Sequence, residues 1–135
     1  MNKSETITAE EFRPGFRISK LDIIVLLAGW IIFILLYRIH PKLSWAVLFT
    51  LAHFFLFCNV LRMRRHYELI WAALFVVLAA PSLAAAVPAW AMVIVIMLAV
   101  TAVLIFLQLR HPSYHGVCWR RFNPSLPQWW ANRQR

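Results

Sequence analysis

Between Leu69 and Leu109 the chain runs for 41 residues without an acidic, basic or histidine side chain. A helix that crosses a bilayer core needs ~20 apolar residues at ~1.5 Å rise each. The stretch therefore has room for two crossings. Pro81 and Pro88 are the candidate breaks, because proline lacks an amide donor and clashes with the preceding turn. A break at Pro81 would leave only about 21 Å of helix from Tyr67, too short to span. The turn is expected near Val87-Pro88-Ala89, with Pro81 as a kink. Pro88 is then expected to open the next helix, where a missing amide is tolerated.

Two further apolar blocks precede this one. The expected fold is all-α: an integral membrane four-helix bundle made of two helical hairpins. Its spans lie at about 21–39, 43–61, 67–87 and 89–109, within a domain of 21–109. A cytoplasmic segment, 1–20, comes first, and an aromatic, proline-containing cytoplasmic tail, 110–135, follows. Only 14% of the residues are charged, against about a quarter in ordinary soluble domains. The apolar content of 62% excludes a disordered chain. The proline-then-tryptophan pattern before Trp45 and Trp90 reads as hairpin punctuation rather than duplication.

Charge sets the expected orientation. With four spans, the N-terminal segment, the loop between spans two and three, and the tail share one side. They carry twelve of the 14 Lys and Arg residues, and the other side holds only Arg38 and Lys42. Short cationic segments stay cytoplasmic, so both termini are expected there, in a bacterial inner (plasma) membrane. The first 20 residues hold three glutamates and no apolar core, which makes the first span an expected uncleaved anchor. The net charge of +9 follows from this topology and also attracts anionic headgroups. No nucleic-acid motif accompanies it, so no nucleic-acid partner is expected. Cys58 and Cys118 lie at different depths on the reducing side and are not expected to pair.

His53 is the most informative single position. It falls near the middle of the second span, where an ionisable side chain marks a candidate functional site. Trp30 is central in the first span and Thr101 near the centre of the fourth. A neutral network of Trp30, His53 and Thr101 would tie three helices together. Haem ligation through His53 is a sharper alternative, but no other histidine lies inside a span to serve as second axial ligand. Neither Asp22 nor Glu68 lies deep enough to continue a proton path. The first span also lacks the embedded carboxylate on which small four-helix proton-coupled drug exporters depend.

A second group gathers at the cytoplasmic ends of spans two to four. Asn59, Arg62, Arg65, Glu68 and Arg110 are the candidates for binding a lipid phosphate, with the fork of Arg62 suited to it. Glu68 also stands at ordinary helix-pair spacing from Arg64 and Arg65. His66 and Glu68 diverge by about 160° on one helix, so they could act together as an acid–base pair only if the helix starts after His66. In the tail, His111, His115 and Cys118 have a metal-like spacing but fall short of the four ligands of a structural zinc site. Pro124 and Pro127 restrict the tail to a short helix or strap, with Trp129-Trp130 as its interfacial anchor. Ala72, Val76, Ala80 and Ala84 form a small-residue row expected to face span two or four. The first helix would then be free for lipid or a partner.

With no catalytic constellation, metal set or cofactor expected, the leading reading is an accessory or scaffold subunit of a membrane complex. Its expected partners are membrane lipids and another protein or a second copy of itself. One alternative is a membrane enzyme or carrier that holds an anionic lipid or lipid-linked substrate at the cytoplasmic face. The other is a haem-binding electron-transfer subunit.

Overall fold

A computed structural model describes residues 13–133. Lys3, the three glutamates of the first 20 residues and Arg135 lie outside the described residues. Six helices follow in order. They are α1 (Lys20–Tyr37), α2 (Pro41–Phe55, continued by a wider π turn, Leu56–Val60), α3 (Arg65–Ala85), α4 (Trp90–Leu109), α5 (Trp119–Phe122) and α6 (Leu126–Arg133). Among the described residues, four helices are long and apolar enough to cross a membrane, spanning 18, 20, 21 and 20 residues.

Local chemistry sets their ends. Ser19 caps α1: its hydroxyl accepts from the Asp22 amide (3.2 Å), and the Asp22 carboxylate accepts from the Ser19 amide (2.7 Å). This reciprocal capping satisfies two amides that a helix start leaves bare. Pro41 occupies the first turn of α2, where no intrahelical donor is needed. Pro81 sits inside α3, which continues past it to Ala85 and stops at Ala86 in the left-handed conformation (φ 56°). The turn that follows holds a cis Val87–Pro88 bond. Pro88 precedes α4 rather than opening it, because Ala89 is the capping residue and Trp90 the first helical one.

The interior lies between α2, α3 and α4. Their inward rows are Ala46, His53 and Phe57; Trp71, Phe75, Ala79 and Ser82; and Val93, Met97, Thr101, Leu104 and Gln108. Each row follows the three-to-four-residue spacing of one helix face. The expected packing row of α3 is displaced by one residue: Ala72, Val76, Ala80 and Ala84 are exposed. Large rings at Trp71 and Phe75 take the interior because they meet His53 and Thr101 there, and the alanines rotate outward.

Helix α1 stands outside this trio and packs along α2, with Gly29 as its only buried residue. A Cβ at Gly29 would collide with the Leu51 side chain, so glycine permits the close approach. The Ser44 hydroxyl donates to the Phe33 carbonyl (3.1 Å), a second tie between the two helices.

At the end opposite the α1–α2 and α3–α4 turns, hereafter the basic end, both described chain ends converge on α2. The Arg17 amide donates to the Asn59 carbonyl (3.2 Å), the Val117 amide to the Val60 carbonyl (2.9 Å), and the Gly15 amide to the His115 carbonyl (2.7 Å). Gly116 lies flat on the backbone of Leu61, where a Cβ would fall 2.5 Å from the carbonyl oxygen. The tail folds on itself beside it. Tyr114 donates to the Val117 carbonyl (2.7 Å), and Asn123 donates to the carbonyls of Pro112 (2.6 Å) and Tyr114 (3.1 Å).

Gly116→Ala should therefore lift the tail from α2. We expect a loss on the order of 1–3 kcal/mol, read as a lower Tm together with faster proteolysis after residue 110. A variant with unchanged Tm and protease resistance would contradict the contact.

Candidate functional site

Two polar regions stand out, one inside the helix trio and one at the basic end. Within the trio, α2 presents Phe49, His53 and Phe57 on successive turns. His53 is buried, and its ring stacks on Trp71 of α3 with centroids 4.6 Å apart and planes 19° from parallel. Phe49 and Phe57 flank it at 4.2 and 5.7 Å. Trp71 in turn stacks on Phe75 (5.2 Å, 9°), and Phe75 meets Trp90 edge-on. Such ring pairs add ~0.5–1.5 kcal/mol each beyond the area they bury. The column joins all three helices.

Hydrogen bonds fix its chemistry. Nδ1 of His53 lies 2.8 Å from the Phe49 carbonyl, which can only accept. Nδ1 therefore carries the proton, and the lone pair of the neutral ring is at Nε2. The Trp71 indole donates to the Thr101 hydroxyl (2.9 Å), which donates to the Met97 carbonyl (2.7 Å). Of the expected network, His53 and Thr101 meet through Trp71. Trp30 is 52% exposed and stacks on Phe33 of its own helix. The reason is geometric: α1 approaches α2 through Gly29, and the next residue points about 100° away. The sequence signal for Trp71 was its spacing of four from Phe75 and eight from Ala79.

Gln108 is the second residue that pattern reading passed over. Its side chain is 1% exposed, one turn below Leu104 on the buried stripe of α4. Neither amide atom has a hydrogen-bond partner among the described residues. A buried unpaired amide costs about 1–3 kcal/mol, so Gln108→Met should raise Tm. A fall in Tm would show that the amide is bonded in the membrane.

At the basic end the five phosphate-binding candidates separate. With its amide turned to suit its neighbours, buried Asn59 donates to Asp22 Oδ2 (2.9 Å) and to the Arg17 carbonyl (2.6 Å). It thereby joins the cap of α1 to the end of α2. Glu68 accepts from the Cys58 thiol (3.4 Å) and faces Arg65 at 3.9 Å. Arg65 is 85% exposed, so that pair contributes little. Arg110 lies over the Phe106 ring (4.2 Å) and lines a different hollow, beside His111 and Phe122. Arg62 turns the other way: it adopts the left-handed conformation (φ 48°) and donates to the Arg13 carbonyl.

The tail histidines do not converge on a common point. Arg64 donates to His111 Nε2 (2.8 Å), whose Nδ1 bonds the Ser113 hydroxyl (2.7 Å), and His115 Nδ1 donates to the Ser113 carbonyl (2.8 Å). Cys58 and Cys118 are both free thiols. No group of three or more metal-ligating side chains occurs among the described residues.

One further feature is an apolar crevice of about 570 Å³ between α1, α2 and α3, walled by Ala28, Gly29, Ala46, Ala79 and Ala80 among others. A second hollow shares Leu43, Ala80 and Leu83 with it and reaches His40 and Lys42 at the turn end. Comparison with protein-family models, curated proteins and solved structures finds nothing that matches this chain.

The electrostatics of the tail yield a pH dependence. Burial pushes His111 below its ordinary value, and the charges of Arg64 and His66 add to this. Burial also pushes His115 down, opposed by its bond to Ser113 and aided by Arg62. The folded protein thus takes up these protons less readily than the unfolded chain. Stability from the tail is complete above about pH 6.5 and declines as pH falls through that value. Hydrogen-exchange protection factors of segment 112–123, corrected for the intrinsic pH dependence of amide exchange, should be lower at pH 5.5 than at 7.5, and His115→Gln should reduce the difference. Equal protection at both values would refute the assignment.

Proposed function

We propose that this chain is a small accessory or scaffold subunit of a membrane complex, set in a bacterial inner membrane with both termini cytoplasmic. The orientation rests on the one-sided placement of its cations. The functional reading rests on one observation, the apolar crevice along α1. Small residues from three helices line it, and such walls let another helix approach closely in lipid, where packing rather than hydrophobicity drives association. A transmembrane helix of a partner subunit fits this description better than a reacting substrate does. The crevice offers mainly van der Waals surface, and its one hydroxyl, Thr50, already donates to the Ala46 carbonyl (2.9 Å).

The basic end supports a structural role for most of its polar atoms. Asn59, Asp22, Glu68 and the tail histidines bond to one another or to backbone. They hold segments of this chain together.

A photo-crosslinking residue at Ala80 should give one adduct of discrete mass in native membranes. The same residue at Val95, exposed on α4, should give only lipid products. Ala80→Phe, which fills the crevice, should abolish the adduct partner's co-purification while leaving Tm within about 2 °C. If Ala80→Phe retains the partner, or the wild type purifies as a monomer with catalytic turnover, the scaffold reading fails.

A further inference from the structure

The basic end holds a cavity that the internal bonds do not consume. It measures about 810 Å³ and is lined by Arg13, Phe16, Arg17, Ile18, Arg62 and Trp130 among others. Three guanidinium-bearing residues thus face one opening. Two carboxylates exist among the described residues, Asp22 and Glu68. Glu68 is taken up by Cys58 and Arg65. Asp22 bonds Ser19 and Asn59, and the charge of Arg17 acts on it. Among the described residues the cluster therefore keeps a surplus of positive charge. Burial, and then the nearby charge of Arg17, already hold Arg62 below its ordinary value.

Arg62 is placed there deliberately by the backbone. A non-glycine residue rarely adopts its left-handed conformation, and strain of this kind collects at functional sites. The conformation turns Arg62 out of line with α2 and toward the N-terminal strap, the segment from Arg13 to Ser19, where one of its nitrogens is fixed on the Arg13 carbonyl. Guanidinium carries five N–H donors, so most of the fork remains for a ligand. Depth matters too. α1 begins at Lys20 and α2 ends at Val60, so the cavity lies level with the ends of the spanning helices, where lipid phosphates reside. Its walls combine the arginines with the apolar Phe16, Ile18 and Trp130, the mixture that an interfacial phosphate ester presents to a protein.

We infer that the cavity bounded by Arg13, Arg17 and Arg62 binds a phosphate group. The group can come from an anionic phospholipid headgroup or from a free phosphate, and this site does not depend on the crevice along α1. It differs from the grouping of Asn59, Arg62, Arg65, Glu68 and Arg110 expected from sequence: Arg62 is shared, while Arg13 and Arg17 replace the others.

The test uses the full chain in nanodiscs. In one arm, phosphatidylglycerol binding is measured against phosphatidylcholine. In the other, inorganic phosphate is titrated by thermal shift in phosphatidylcholine discs. Arg17→Gln is the informative variant, because its side chain makes no hydrogen bond to the other described residues. Arg120→Gln, a cation in the tail outside the cavity, is the control. Arg17→Gln should weaken binding about tenfold, the size of one lost charge-assisted hydrogen bond, and Arg120→Gln should change it less than about twofold. Loss confined to the lipid arm assigns a headgroup, and loss in the phosphate arm assigns a free phosphate. Either supports the site. Equal weakening by both variants, or no preference for phosphatidylglycerol and no phosphate shift in the wild type, overturns it.

Discussion

Everything at the basic end depends on how α2 disposes of its last carbonyls. A helix terminus leaves several carbonyls without intrahelical donors, and in a membrane each such group left bare costs several kcal/mol. Here the final turn widens, with Leu61 donating back to Leu56 and Met63 to Phe57. The carbonyls of Asn59 and Val60 then accept from Arg17 and Val117. The chain thus uses its two flanking segments as the cap of an internal helix. This explains why the N-terminal strap and the stretch of tail between α4 and α5 are both held in place. Their order comes from backbone demand, and Gly116 is required because the tail must lie against Leu61 without a side chain between them.

The same constraint arranges the charges. Because the strap crosses the end of α2, it brings Arg13 and Arg17 over Arg62, and the Asn59 amide locks the strap to Asp22 at the start of α1. Three cations assembled by a backbone requirement would ordinarily repel one another. The fold tolerates them because they sit at the solvent edge and one guanidinium has a carbonyl to bond.

The four long helices were legible in the sequence, because an uncharged run of 41 residues leaves so few other structures. Partnership between them was less so. Every span is apolar on most of its faces, so hydrophobic periodicity cannot say which face meets which neighbour. Trp30 was read as the mid-span donor while Trp71 passed unnoticed, and packing separates them: Gly29 turns Trp30 outward, whereas Trp71 follows the Phe75 face into the trio. The row at Ala72, Val76, Ala80 and Ala84 misled for the same reason. Small residues permit close contact without compelling it, and large rings one position away filled the interior first. Asn59 and Arg62 were singled out as candidates for binding a lipid phosphate. Their partners were not visible, because the strap that bonds them lies 40 or more residues earlier and carries no periodic signal.

The two polar regions differ in a way that bears on function. Around His53 the rings close on one another, and the polar atoms of Trp71 and Thr101 bond in sequence to a backbone carbonyl. That arrangement fixes the relative rotation of α2, α3 and α4, and networks of this kind specify orientation more than they add stability. Helix α1 has no such fixing. Gly29, Ser44 and the Asn59 amide hold it to α2 alone, and its other faces are open. A trio registered by ring stacking, with one helix attached along a single seam, would suit the assembly proposed above, since a partner helix entering between α1 and α3 would meet a wall already in register. The ordering cost that association normally carries would then fall mainly on α1.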